Sequence, residues 1–282
     1  MVLPPPAFVS IDGIRIAYRA AGSGYPLVLI NGLASPMDTW NPPVLERLSR
    51  YHRLIIFDPR GTGFSGSSEE PCSISLFACD VLHLMDALGI DRADILGFSL
   101  GASVAQELAI GSPGRVRKLV LVGGSCGGKE AEGPDPEVWR RLIDRSGPAD
   151  ELASRIFSLI FPAGWLEDHD PLMYCPEVSE TTPPGEVIRQ AESFLSWPGS
   201  YNRLDRIRSD VLVIAGLEDA VIPLKTPSCF PKRSRGPGSY CFAVQDTVSC
   251  TSAGTGSASV SGNFLRTDRA SRGTGGKMTR FW

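Results

Sequence analysis

The chain has 282 residues, 42% of them hydrophobic, enough to bury one substantial core in a single main α/β domain. A formal charge of -3 gives no general basic field, and no 18-residue apolar run occurs, so neither nucleic acid nor a membrane is expected as a partner. The opening text MVLPPPAFVS has no cationic stretch leading into a long apolar run; neither a secretory signal nor an anchor is expected, and the expected compartment is the cytoplasm.

In chain order, short runs rich in Ile, Val and Leu read as buried strands: IRIAYRA, PLVLING, RLIIFDP, ADILGFS, KLVLVGG and DVLVIAG. Helical text lies between them at 74–88 and at 100–110. This alternation predicts right-handed crossovers and a mostly parallel sheet, with function in the loops that follow the strands' carboxyl ends. From 127 to 200 the text becomes Pro-rich and Trp-bearing, with helix-like PEVWRRLIDRSG and ELASRIFSLIF, and reads as a lid. The expected organisation is a core over 1–126, a helical lid over 127–200, a returning strand and acid loop over 201–225, and a tail over 226–282. Seven cysteines (Cys72, Cys79, Cys126, Cys175, Cys229, Cys241 and Cys250) are scattered without C-x-x-C spacing. They read as reduced and structural, with neither a disulfide framework nor a zinc site.

The stretch DILGFSLGASVAQELA sets a serine between two glycines where a strand gives way to a helix. Gly97-Phe98-Ser99-Leu100-Gly101 in that context reads as a nucleophile elbow. The turn strains the serine, and side chains two residues either side would collide where strand and helix cross, so glycines stand there. The new helix also points its free N–H groups at the serine oxygen. The competing reading is a serine that caps the helix.

On these residues the chain resembles the α/β-hydrolase superfamily, of the lidded serine-nucleophile type, from about residue 8 to 225. The resemblance implies a doubly wound, mostly parallel sheet with a helical lid insertion. It also implies an oxyanion hole: VLINGLAS matches the family's strand and His-Gly loop, with Asn31 in place of the histidine. The donors implied are the backbone N–H groups of Leu33 and Leu100, each worth roughly 3 kcal/mol of barrier. In FDPRGTGFS, Asp58 and Arg60 are expected to brace a turn rather than react. Gly216-Leu217-Glu218-Asp219 followed by Val221-Ile222-Pro223 resembles the family's acid loop and makes Asp219 the catalytic acid, with Glu218 a solvated neighbour. Asp219 would orient a histidine and stabilise its imidazolium.

That histidine is missing. The family places it after the last strand, whereas this chain has only His52, His83 and His169, all upstream of Asp219. From Thr226 onward there is no Ile, no Glu and one Leu, and Ser, Gly and Thr crowd TSAGTGSASVSG. The final helix, strand and helix of the family are therefore expected to be lost, although SYCFAV can fill in as an edge strand. The tail is a basic disordered arm for an acidic partner, or it is out of register with its gene. Over 225–252, joining the third base of each codon to the first two of the next permits DPELLPEEIPGARLVLFRGAGHGFMYQ, which restores a helix, a strand and Gly-His text. Tyr240-Cys241 must then give Leu, and Asp246-Thr247 must give His or Tyr. The expectation is a frameshift near residue 225.

The expected function is a serine hydrolase for a small carboxylic ester, lactone or thioester, working through a Ser-His-Asp triad without metal or organic cofactor. GFSLG resembles cofactor-free haloperoxidase-like members of the family, and the layout resembles enol-lactonases. A serine nucleophile sets the chain apart from the haloalkane dehalogenases and epoxide hydrolases of the same fold. Phe98 and Trp165 are candidate substrate-binding residues. Without the histidine, activity of this polypeptide is expected to be near nil. The alternative is a pseudo-hydrolase that binds a small ligand under its lid, or a truncated product; oligomeric state is left open.

Overall fold

Two residues open the fold. Asp12 and Gly13 both take positive φ, 47° and 81°. A two-residue hairpin turn of the primed type requires this. They join β1 (Ala7–Ile11) to β2 (Ile14–Ala21) in antiparallel pairing. The computed structural model describes residues 3–173, 176–216, 219–223 and 239–244, together with residue 265. After the hairpin come β3 (Tyr25–Ile30), α1 (Pro42–Ser49), β4 (His52–Phe57), α2 (Ile74–Ala87), β5 (Ala93–Phe98), α3 (Leu100–Gly111) and β6 (Val116–Val122). The insertion carries α4 (Pro136–Ile143), α5 (Ala149–Ile160), α6 (Ala163–Asp168) and α7 (Pro184–Leu195). The chain then returns as β7 (Asp210–Gly216) and β8 (Ser239–Val244).

Local chemistry starts the helices where they start. Asn41 caps α1, accepting from the Val44 N–H, and Pro42 occupies the first turn where its missing N–H costs nothing. Ser73 caps α2 through the Leu76 N–H. The strands of the sheet's centre are apolar on both faces, so alternate residues fill two cores. Val28, Ile30, Ile55, Ile95 and Leu121 pack with α2 and α3 on one side. Leu27, Leu29, Leu54, Ile56 and Val120 pack with α1 on the other.

The sheet has the order β1-β2-β4-β3-β5-β6-β7-β8, antiparallel at β1/β2 and β2/β4 and parallel from β4 to β8. From β3 the chain moves toward β4 and from β5 it moves toward β6, so the winding reverses between β3 and β5. In open α/β sheets that reversal opens a crevice at the strands' carboxyl ends. The loop starting at Asn31 meets the one-residue turn at Ser99 there. Ser239–Val244 pairs in parallel with β7 over its full length, from Val211↔Ser239 to Gly216↔Val244. SYCFAV thus takes the edge-strand place that the sequence leaves open to it, against β7. The flanking helices expected to be lost fall outside the described residues.

The insertion is of two kinds. α4 buries no residue and α5 only Leu159. In contrast, α7 buries Val187, Gln190, Ala191 and Ser193, and its Phe194 ring stacks on Trp139 of α4 at 5.5 Å. Beyond α7 the chain is fastened to α3. Trp197 Nε1 donates to Glu107 Oε1 at 2.7 Å, Arg203 pairs with the same carboxylate, and Ser200 Oγ donates to Gln106 Oε1 at 2.6 Å. None of the described helices is long and apolar enough to cross a membrane.

Candidate active site

Ser99 follows β5 directly and opens α3 with φ 53° and ψ -121°, a conformation that L-residues rarely occupy. Its N–H donates to Val122 O and its C=O accepts from Ala102 N–H, both at 2.8 Å, so hydrogen bonds on both sides hold the strain. The side chain makes no capping hydrogen bond, which leaves the helix-cap reading without its bond. The flanking glycines are there for lack of space. A Cβ on Gly97 would lie 2.7 Å from Gly101 C, and one on Gly101 would lie 2.5 Å from Asn31 O.

The loop after β3 lies against the elbow: a Cβ on Gly32 would lie 3.2 Å from Ser99 Cβ. Asn31 is buried and locks this loop from below. Its Oδ1 accepts the Gly32 N–H at 3.0 Å, and its Nδ2 donates to Pro36 O at 2.9 Å and to Thr39 Oγ1 at 2.6 Å. Neither the Leu33 N–H nor the Leu100 N–H donates to another group among the described residues.

Asp58 and Arg60 brace the neighbouring loop, as expected. Asp58 accepts from Met37 N–H at 2.6 Å and from Phe64 N–H at 2.9 Å, which ties the loop after β4 to the loop after β3. Arg60 grips Asp80 of α2 with two bonds, at 2.6 and 2.5 Å, both side chains being buried. Burial pushes the Asp58 carboxyl from 3.8 up to about 6, against the lowering effect of its two amide donors. Because the folded value lies above the unfolded one, the fold favours the protonated form. That stability is fully present below pH ~3.9 and is lost as pH rises through about 6, a loss of about 3 kcal/mol. A carbon-13 NMR titration of the Asp58 carboxyl should show its midpoint near 6; a midpoint of 4 or lower would contradict this account of the burial.

Asp219 sits beyond the carboxyl end of β7. Its Oδ1 accepts from Val221 N–H at 2.9 Å and Ile222 N–H at 2.8 Å, a side-chain turn that fixes the carboxylate. Its Oδ2 faces Gly123, after β6: a Cβ there would lie 3.7 Å from this oxygen and 3.6 Å from the Phe98 ring. Burial pushes the Asp219 carboxyl up, and the two amides offset part of the rise. The ring of Phe98 lies between Gly32 and Gly123, adjoining the site. Trp165 is placed in α6, stacked between Phe161 and His169 with ring centroids 4.5 Å apart on each side. Glu218 lies outside the described residues.

None of the histidines is brought to Ser99. His52 opens β4 at the sheet's amino end, buried, with Nε2 3.8 Å from Asp94 Oδ2. His83 is exposed on α2 and pairs with Asp12 at 2.9 Å. His169 Nδ1 stands 3.0 Å from Trp165 O. Two residues that sequence reasoning missed do reach the loop after β3: Thr182 and Gln190 of the insertion bond to Ala34. The available signal was a glutamine on the buried stripe of α7, one turn from Val187.

The family model described as the alpha/beta hydrolase fold matches residues 25–247. A relative named putative carbamate hydrolase RutD, from Azorhizobium caulinodans, is 31% identical over 209 residues, 73% of this chain and 78% of that one. One of the same name from Caulobacter sp. is 30% identical over 226 residues, 76% and 81% of the two chains. The crystal structure of a hydrolase from Pseudomonas aeruginosa superposes with a TM-score of 0.78 at 26% identity, covering 93% of this chain and 98% of that one. The enol-lactonase from Burkholderia xenovorans gives a TM-score of 0.76 at 23% identity, covering 92% and 98%, a likeness of fold alone.

Proposed function

This chain belongs to the α/β-hydrolase fold family, a family of hydrolases, and on that premise we propose that Ser99 is a nucleophile for small carbonyl substrates. Ser99 Oγ attacks the carbonyl carbon of an ester, lactone or thioester. The N–H groups of Leu33 and Leu100 hold the oxyanion as charge develops, and the alcohol or thiol leaves with a proton. Water then cleaves the acyl-enzyme. The names of the relatives extend the substrate class to carbamates, whose carbonyl carbon is attacked in the same way. Asp219 is the acid that would orient an imidazole and stabilise its charged form. Phe98 beside the serine, and Trp165 of the insertion, are the proposed apolar contacts of the substrate. No metal or organic cofactor is required by this chemistry.

One observation carries the reading. Ser99 is held at φ 53° and ψ -121° with its hydroxyl uncommitted, beside two amides that no group of the described chain uses. Strain of about 1–3 kcal/mol at a single residue persists only where its surroundings enforce it. A second reading, the pseudo-hydrolase that binds without turnover, is favoured by the positions of His52, His83 and His169, each committed elsewhere. An oxyanion hole with bound substrate still gives about 10³–10⁴-fold catalysis over water when a triad member is missing, so slow acylation is expected. A fluorophosphonate probe with peptide mapping tests this. Label on Ser99, absent from Ser99→Ala, is the expected result; an unlabelled chain after hours at high probe concentration favours the pseudo-hydrolase.

A further inference from the structure

Ala34, the residue after the Leu33 amide, takes φ 55°, a left-handed conformation uncommon outside glycine. Something must hold it there. Its N–H donates to Gln190 Oε1 at 2.8 Å, and its C=O accepts from Thr182 Oγ1 at 3.0 Å. Both polar groups of this one residue are therefore satisfied by side chains of the insertion, about 150 positions later in the chain. Gln190 is itself pinned, since its Nε2 donates to Thr62 Oγ1 at 2.8 Å inside the loop that Asp58 braces, with both side chains buried.

The helix that presents Gln190 is fixed as well. Glu186 Oε1 accepts from Ser67 Oγ at 2.6 Å, and Arg189 donates to Glu70 O at 2.5 Å, which stitches α7 to the loop after β4. On the other side of the Leu33 amide, Asn31 holds the loop through Gly32, Pro36 and Thr39. The Leu33 N–H thus lies between a fixed Asn31 and a fixed Ala34. The Leu33 N–H itself donates to no group among the described residues, and the Gly32 carbonyl of the same planar peptide accepts from Ser35 N–H at 3.3 Å, so its direction follows the turn that Ala34 completes.

We propose that Gln190 and Thr182 are positioning residues that keep Ala34 left-handed and so aim the Leu33 N–H at the oxyanion. This rests on the reading of Leu33 as an oxyanion donor. It makes the insertion part of the catalytic apparatus, acting through the Ala34 peptide rather than by touching substrate. Preorganised donors act only when they stay aimed at the charge that forms, and a misplacement of about 1 Å costs up to ~10²-fold.

The test uses the full chain, p-nitrophenyl acetate and two independent readouts. The first is hydrogen exchange of the Ala34 amide by NMR, which reads the clamp without any turnover. The second is kcat and KM for the hydrolysis that remains after subtracting Ser99→Ala. Gln190→Met keeps length and shape while removing both bonds. It should speed Ala34 exchange at least ~10-fold and lower kcat about 10-fold with KM unchanged. Thr182→Val should do the same more weakly, and Thr182→Ser, which keeps the hydroxyl, should recover the kcat that Thr182→Val loses. If Gln190→Met fails to fold, the threonine pair carries the test. Unchanged Ala34 exchange overturns the clamp. Faster exchange with kcat unchanged, or with KM alone raised, overturns the positioning role and leaves the hydrolase reading standing. Hydrolysis no faster than that of Ser99→Ala overturns the hydrolase reading and the positioning role with it, even where the exchange result stands.

Discussion

A chain whose codons are read one base out of step from residue 225 is expected to cleave a short-chain ester at least ~10³-fold faster than the present one. The structure gives this expectation a location. β8 runs parallel to β7, β6 and β5, so its carboxyl end points to the same rim of the sheet as the ends that lead to Asp219 and Ser99. Asp246-Thr247, the codon pair that must give His or Tyr in the offset frame, begins two residues after Val244 closes β8. A histidine there would come just after β8, whose carboxyl end points to the rim where Ser99 and Asp219 stand. The family match also runs to residue 247, beyond the point where the composition changes. At Asp219 two amides fill one oxygen, the other faces Gly123, and burial raises the carboxyl's affinity for a proton. An imidazolium beside it would reverse that shift, because an opposite charge within about 4–6 Å favours the ionised form. Steady-state kinetics of the two chains on one ester checks the rate, and the coding DNA checks the premise. Codons that specify Tyr at the constrained position, or equal rates for both chains, would end the idea.

What the sequence disclosed and what it withheld divide along physical lines. The strands IRIAYRA through DVLVIAG and the helices α2 and α3 stand where the apolar runs and spacing put them, because local pattern and burial agree there. The elbow was legible because sterics write glycine at fixed offsets from the serine. β1 lies in the Pro-rich opening, where its only local signal is the Asp12-Gly13 hairpin turn, and the signal of α1 is the Asn41-Pro42 cap. The clamp on Ala34 could not be read, since Gln190 lies 156 residues away and only the folded insertion brings it back. Asp58 was legible as a turn residue. That it also receives the Met37 amide, and therefore joins two loops at the rim, is a tertiary fact. SYCFAV lacks the Ile and Val density of the other strands, and its place is set by the unpaired edge of β7 as much as by its own residues.

Gly101→Ala is expected to cost about 3 kcal/mol or more of stability, out of the ~5–15 typical of a domain, and to slow labelling of Ser99 beyond what the lost stability explains. The added carbon would lie 2.5 Å from Asn31 O and 2.7 Å from Ile30 C. Both are backbone atoms, so no rotamer change relieves the contact. α3 must back away from β3, or the end of β3 must move and take the loop of Leu33 with it. Alanine's advantage over glycine inside a helix, up to about 1 kcal/mol, opposes this and is too small to offset it. The same helix supplies the control. Gly111, at its other end, has nothing within 4 Å of where a Cβ would stand. Gly111→Ala should therefore be neutral or gain up to about 1 kcal/mol through propensity alone. Urea unfolding of the two variants separates propensity from contact, and probe kinetics at a temperature where both are folded reads the site. Equal midpoints would show that helix and strand can part without strain, and the steric account of the paired glycines would fall with them. A large loss at 101 with labelling unchanged would show instead that the serine's surroundings hold their shape independently of the crossing beneath them.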